Sequence, residues 1–104
     1  VLLSRGAAME AKNHDGDTPL HVAASKNYLS LLELLLDQGA DLESRNFYNN
    51  GATPLHRAVM AQSDLEVIRV LLSRGAAMEA KNHDGDTPLH VAASKNYLSL
   101  LELL

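Results

Sequence analysis

The chain has 104 residues, 46% hydrophobic and 21% charged, which is the composition of an ordinary globular domain with one modest core. The net charge of -4 argues against a nucleic-acid-binding surface, because such surfaces use Lys and Arg to neutralise phosphates. The absence of cysteine excludes disulfides, thiolate nucleophiles and cysteine-based zinc sites, and it is compatible with the intracellular location that we expect. No apolar run approaches the roughly 20 residues that span a bilayer, so we expect a soluble chain without a membrane segment.

The main feature of the sequence is an internal repeat. The tetrapeptide Thr-Pro-Leu-His begins at Thr18, Thr53 and Thr87. On a larger scale, residues 1–35 and 70–104 are identical at every position, and their offset equals two repeats. Self-similarity at this period indicates stacked helical repeats, because each short helix pair buries its apolar face only against its neighbours.

In chain order, the first full copy opens with a tight turn at residues 15–16, where Gly accepts a positive φ and Asp bonds the backbone. Thr18 then stands where a hydroxyl caps a helix, and Pro19 fits the first helical position. This predicted first helix runs to about Lys26. It ends near Asn27, a residue type that tolerates the left-handed conformation.

A Leu-rich second helix follows over residues 29–36, and Gly39 stands where a left-handed helix end belongs. In the next copy the first helix is predicted to begin at Thr53. Residues 63–66, Ser-Asp-Leu-Glu, resemble a capping box, so the second helix of this copy is predicted to begin at Ser63 and to end at Gly75. The third copy repeats the turn and the first helix, with small Ala residues again placed for close packing.

Together, the turn, the Thr-Pro-Leu-His motif, the Ala-Ala pair and the Leu-Leu-x-x-Gly-Ala ending at residues 35–40 and 71–76 resemble the ankyrin repeat. The resemblance implies an all-α solenoid of stacked helix-turn-helix repeats with hairpin fingers, first helices on a concave face and second helices on a convex back. It predicts a single domain over residues 1–104, divided into the end of one repeat (1–12), two repeats (13–45 and 46–81) and a partial repeat (82–104).

Members of the family commonly bind proteins through the fingertips and the concave face. Carried over by position, the finger candidates for partner binding are His14, Asp15, Asp17, Phe47, Tyr48, Asn49, Asn50, Ala52, His83, Asp84 and Asp86. The candidates on the first helices are Ser25, Lys26, Arg57, Met60, Ala61, Gln62, Ser94 and Lys95. The residues expected to maintain the repeat itself are Thr18, Pro19, His21, Thr53, Pro54, His56, Thr87, Pro88, His90, Gly39 and Gly75.

The chain departs from the family pattern in a few places. Residues 46–52 carry two extra residues and residues 60–64 carry one, while Asn27 and Asn96 stand where Gly is usual. Phe47 and Tyr48 are adjacent aromatic residues on this longest finger, where they serve either as a binding hot spot or as packing against a neighbour. Arg57 replaces an apolar residue, and it either faces a partner or bonds an acidic residue of an adjacent repeat, which we favour.

The histidines do not predict a metal site. His21, His56 and His90 occupy the same place in successive repeats, so they are expected to lie roughly 10 Å apart and to bond backbone near the fingers. His14 and His83 precede Asp residues that the turns are expected to use. We find no nucleophile, base and orienting group that converge, and we therefore predict no cofactor, no metal and no enzymatic activity.

The leading prediction is therefore a scaffold with a protein partner of unknown identity, no nucleic acid and no membrane. The alternative is self-association or an engineered repeat array without a natural ligand. Val1 is expected to begin inside one second helix and Leu104 to end inside another. Head-to-tail stacking would then bury three leucines of one chain (Leu98, Leu101 and Leu104) against three of its neighbour (Leu20, Leu29 and Leu32).

Overall fold

The structure is a computed structural model, and it describes residues 10–46, 51–95 and 97. Within these residues it contains five helices: α1 (Pro19–Lys26), α2 (Leu29–Asp37), α3 (Pro54–Met60), α4 (Leu65–Ser73) and α5 (Pro88–Ser94). The inner row consists of α1, α3 and α5, in which α1 packs on α3 and α3 packs on α5. The outer row consists of α2 and α4, which pack on each other and on their inner-row partners. The all-α solenoid predicted from the sequence is confirmed.

Each inner helix begins at a capped threonine. The Thr18 hydroxyl accepts a bond from the backbone N–H of His21, and Pro19 occupies the first turn, where its missing N–H costs nothing. Thr53 and Thr87 make the same bonds at α3 and α5. The histidine three residues on accepts the backbone N–H of the threonine in return, so each helix start has a reciprocal capping box.

The outer helices end in the left-handed turn that the sequence predicts. Gly39 has φ 92°, and beyond it the N–H of Ala40 bonds the carbonyl of Leu35 at 3.0 Å. Gly75, with φ 97°, closes α4 through the equivalent bond from Ala76. These are Schellman endings, which satisfy helix carbonyls that otherwise lack partners.

The start of α4 differs from the prediction. The helix begins at Leu65, its N-cap is Asp64, and no side chain caps it, so residues 63–66 do not form a capping box. Ser63 is buried, and its hydroxyl donates to the carbonyl of Ala24 at the end of α1. The hydroxyl bonds the adjacent repeat because a buried polar group must find a partner, and the carbonyl of Ala24 supplies one.

The core lies between the two rows. Alanines of the inner helices, Ala23, Ala58 and Ala92, have no exposed surface and allow the helices to approach closely. The outer helices fill the space behind them with larger side chains, and the fully buried ones are Leu32, Leu35, Val67, Ile68 and Leu71. Each such side chain contributes about 1.5 to 3 kcal/mol on burial. None of the described helices has the length and apolar character needed to cross a membrane.

Candidate partner-binding surface

The finger turns are closed by asparagine side chains. The Asn13 Oδ1 atom accepts the backbone N–H groups of Asp15 at 2.9 Å and of Asp17 at 3.0 Å, and Asn82 makes the same pair of bonds in the later finger. The side chains that accept these turn N–H groups are those of Asn13 and Asn82, which the sequence analysis did not single out. The signal in the sequence was an Asn two residues before each Asp, the spacing of an Asx turn.

Two buried histidines tie each repeat to the next finger. The Nε2 atom of His21 lies 2.8 Å from the carbonyl of Ala52, and that of His56 lies 2.9 Å from the carbonyl of Asp86. A carbonyl only accepts, so Nε2 carries the proton. The Nδ1 atom meets the backbone N–H of the capping threonine, which only donates, so Nδ1 is unprotonated. The geometry thus requires the neutral Nε2–H tautomer at both positions.

The electrostatics agree with this tautomer. Burial lowers the pKa of His21 and of His56, because desolvation disfavours the imidazolium, and the bond to a backbone carbonyl opposes the shift only in part. Protonating Nδ1 would also place two donors face to face at the capping threonine. These rings are therefore structural hydrogen-bonding groups and are unsuited to proton transfer with a partner.

Asp17 lies in the interface between two repeats, although its position in the sequence predicts a fingertip. Its side chain is 95% buried, accepts a bond from Asn46, and pairs with Arg57 at 3.5 Å. Ala52, a second finger candidate, is buried as well, and its carbonyl accepts the hydrogen bond that the Nε2–H group of His21 donates. Both residues face inward because the fingers stack side by side, so we withdraw them from the partner-binding set.

Arg57 bonds an acidic residue of an adjacent repeat, as the sequence analysis favours, because its guanidinium pairs with Asp17 of the preceding repeat. Its Nε atom is buried and has no hydrogen-bond partner in the structure. Gln62 is also placed differently from the prediction: it lies beyond the end of α3 in the left-handed conformation, with φ 53°. Its side chain donates to the carbonyl of Lys95 in the next repeat.

Asn27 adopts the left-handed conformation that ends α1, and its side chain also bonds the next repeat. Its side-chain amide donates to the Asp64 carboxylate at 2.8 Å, and its side-chain oxygen accepts the backbone N–H of Asp64 at 3.0 Å. Glycine, usual at this position in the family, has no side chain to make these bonds. Asn27 therefore joins the end of the inner helix α1 to the start of the outer helix α4 in the next repeat.

A close approach between fingers involves Gly51 and His83. A Cβ atom at Gly51 would lie 2.5 Å from the ring of His83, and Gly51 has φ 68°. Glycine is required here both by the backbone conformation and by the ring lying over it.

The remaining candidates divide by exposure. The exposed ones are His14, Asp15, Lys26, Ala61, His83, Asp84, Ser94 and Lys95, while Ser25, Met60 and Asp86 are half-buried. Phe47, Tyr48, Asn49 and Asn50, with Asn96 of the family pattern, lie outside the described residues. Lys26 and Lys95 hold the same position in repeats two apart, so the exposed edge of the inner row carries a cation at both places.

The described residues include no group of three His, Asp or Glu side chains placed to hold a metal ion. Two of the leucines predicted to receive a neighbouring chain in head-to-tail stacking are already covered within the chain. Leu20 and Leu32 are fully buried in the core, and Leu98, Leu101 and Leu104 lie outside the described residues. Leu20 is buried because α3 of the same chain already covers it.

These features define a helical repeat stack in which buried polar side chains join one repeat to the next. The family model described as ankyrin repeats, in 3 copies, matches residues 1–82 and 45–104. The chain belongs to the ankyrin repeat family, whose repeats are generally non-catalytic interaction domains.

The chain is similar to segments of longer proteins. The chain is 38% identical to the tyrosine-protein kinase HTK16 of Hydra vulgaris over 102 residues, which is 98% of this chain and 13% of the kinase. It is 42% identical to the Neurogenic locus Notch protein of Drosophila melanogaster, covering 88% of this chain and 3% of that protein. It is 38% identical to NF-kappa-B inhibitor alpha of Sus scrofa, covering 94% and 32%. The chain thus spans a minor part of each of these relatives.

Proposed function

We propose that the chain is a non-catalytic scaffold that binds a protein partner through its finger turns and the exposed edge of its inner row. The observation that carries the proposal is that some polar residues bond within the stack and others are exposed. His21, His56 and Asn27 make hydrogen bonds between repeats. The exposed finger pairs His14–Asp15 and His83–Asp84 recur at the same position in fingers two repeats apart.

Rigidity supports the same function. The finger turns are held by asparagine bonds, and the inner helices are held by reciprocal capping boxes. A surface that is ordered before binding loses little conformational entropy on association, which favours affinity. The name of NF-kappa-B inhibitor alpha describes a protein that acts on another protein, and this chain resembles it over nearly all of its own length. The proposed setting is intracellular.

The proposal is tested by matched charge reversals on the two sides of the stack. One variant carries Asp15→Lys with Asp84→Lys on the fingers, and the control carries Glu33→Lys with Glu66→Lys on the outer helices, where both residues are exposed. Proteins retained by each immobilised variant are quantified against the unmodified chain. We expect the finger variant to lose its specifically retained protein and the outer variant to keep it. Loss by the outer variant alone would contradict the proposal.

A second candidate function is self-association, which one observation favours. Tyr28 is 53% exposed and Leu31 is 38% exposed on the side of α1 and α2 that faces away from α3. Sedimentation across a range of concentrations tests it. We expect the average mass to rise with concentration, and a chain that stays monomeric at hundreds of micromolar would exclude this function while leaving partner binding intact.

A further inference from the structure

The internal duplication provides a comparison within one molecule. Residues 13–35 and 82–104 have the same sequence, but the first copy is followed by the repeat at 46–81 and the second copy is preceded by it. Leu20 in the first copy is 1% exposed, whereas its counterpart Leu89 is 46% exposed. The difference identifies Leu20 as part of the face that receives the following repeat.

The opposite face shows the reverse difference. Val91 is 8% exposed and Pro88 is buried, because α3 packs against them, whereas Val22 and Pro19 are half-buried. The hydroxyl of Tyr97 donates to the carbonyl of Ser63, and its ring packs on the core, while the identical Tyr28 is mostly exposed. We call Pro19, Val22, Tyr28 and Leu31 the leading face.

The groups that fasten the second copy to its neighbour are all present in the first copy. The carbonyl of Asp86 accepts a bond from His56, and that of Lys95 accepts one from Gln62. The counterparts of these two residues in the first copy are Asp17 and Lys26. The leading face also borders an open groove of about 340 Å³ whose lining includes Pro19, Val22 and Leu31. An identical sequence therefore offers the same apolar and hydrogen-bonding pattern to a repeat of the 46–81 type.

We propose that the leading face of one chain docks on α3 of a second copy, in the place that α5 of that second copy normally occupies. This inference rests on the second candidate function, self-association, and names its surfaces. The incoming residues make contacts equivalent to those they replace, because the two sequences are the same. The exchange substitutes one native interface for another, and the residues that precede residue 13 of the incoming chain give way to residues 70–81 of the receiving chain, which have the same sequence as residues 1–12.

Two segments compete for the same site on α3: α5 of the same chain, which we call the resident segment, and the leading face of a second copy. The resident segment is tethered to the same chain, so it competes at an effective concentration in the millimolar range. Docking of a second copy to the unmodified chain therefore occurs only at high concentration, and it strengthens when the resident segment is impaired. The joint is head to tail, so it leaves a leading face free on one end and grows without closing.

The same substitution at two identical positions tests the proposal. Val91→Glu places a charge against α3 and expels the resident segment, because an unpaired buried carboxylate is strongly disfavoured. Val22→Glu impairs the leading face only. We expect the average mass of the Val91→Glu variant to at least double between micromolar and hundreds of micromolar concentrations in sedimentation. The double variant with Val22→Glu should remain monomeric over that range.

The outcomes separate the inference from its premise and from misfolding. A Val91→Glu variant that stays monomeric overturns the proposed exchange. Equal association of Val91→Glu and of the double variant also overturns it, because the growth then arises from another surface or from unfolded chain. If either of these results is found while the unmodified chain still associates, self-association stands as a function but uses a different surface. Far-UV circular dichroism of all variants measures their helix content, and a variant that has lost most of it is misfolded and is not used in the comparison.

Discussion

Replacing His56 by alanine tests how much one buried ring contributes to the stack. The Nδ1 atom of the ring accepts a hydrogen bond from the backbone N–H of Thr53 and lies within bonding distance of the Thr53 hydroxyl. The Nε2–H group donates to the carbonyl of Asp86 in the next repeat. Losing the bond to Asp86 costs about 1 kcal/mol, and leaving the buried N–H of Thr53 without an acceptor costs about 1 to 3 kcal/mol. Together with a small cavity, the free energy of unfolding should fall by about 3 kcal/mol.

Urea denaturation followed by circular dichroism measures this loss. With a slope of about 1.5 kcal/mol/M, the midpoint should fall by roughly 2 M. His90→Ala is the matched control, because His90 caps Thr87 in the same motif but its ring is exposed. The control should lose only about 1 kcal/mol. Equal losses in the two variants would refute the reasoning that the bond to the following finger, and the burial that accompanies it, carries most of the effect.

Four further outcomes are expected. Thr53→Ala should cost about 1 kcal/mol through its lost helix cap, and an unchanged urea midpoint would contradict the cap. Gly51→Ala should destabilise more than Gly85→Ala, because both have positive φ but only Gly51 lies under a ring; equal urea midpoints would argue against that contact. The free energy of unfolding should be highest above the ordinary histidine pKa of about 6.5 and should fall as the pH drops below it. The reason is that His21 and His56 have lowered pKa values in the fold, so the unfolded chain takes up protons first. A free energy of unfolding that rises on acidification would contradict the neutral tautomer. Phe47→Ala with Tyr48→Ala should weaken partner binding by about 1 to 4 kcal/mol with little change in melting temperature, and the opposite pattern would assign the rings to packing.

The sequence predicted those elements that depend on local chemistry. Helix starts at Thr18 and Thr53 follow from a hydroxyl followed by proline, and the outer helix ends follow from glycine in a left-handed position. The register of the two rows follows from the repeat period. These features are encoded within a few residues of where they act, so a single sequence suffices.

The sequence predicted the bond of Arg57 to an acidic residue of an adjacent repeat, but it did not predict several other bonds between repeats. Ser63 was expected to cap its own helix but bonds Ala24 in the preceding repeat, and Asp17 was expected at a fingertip but is buried. Asn27 satisfies a local backbone requirement and also joins two helix ends. Each of these outcomes depends on which groups the stack brings within bonding distance, and sequence spacing alone does not contain that information.

The central claim is that the fingers face a protein partner while the buried histidines serve the stack. The most direct measurement is a nuclear magnetic resonance titration of the histidine ring signals with a protein retained by the unmodified chain. Our account predicts that the signals of the exposed His14 and His83 shift on binding, while those of the buried His21 and His56 stay in place. Unchanged His14 and His83 signals, together with shifts confined to residues of the outer helices, would contradict it.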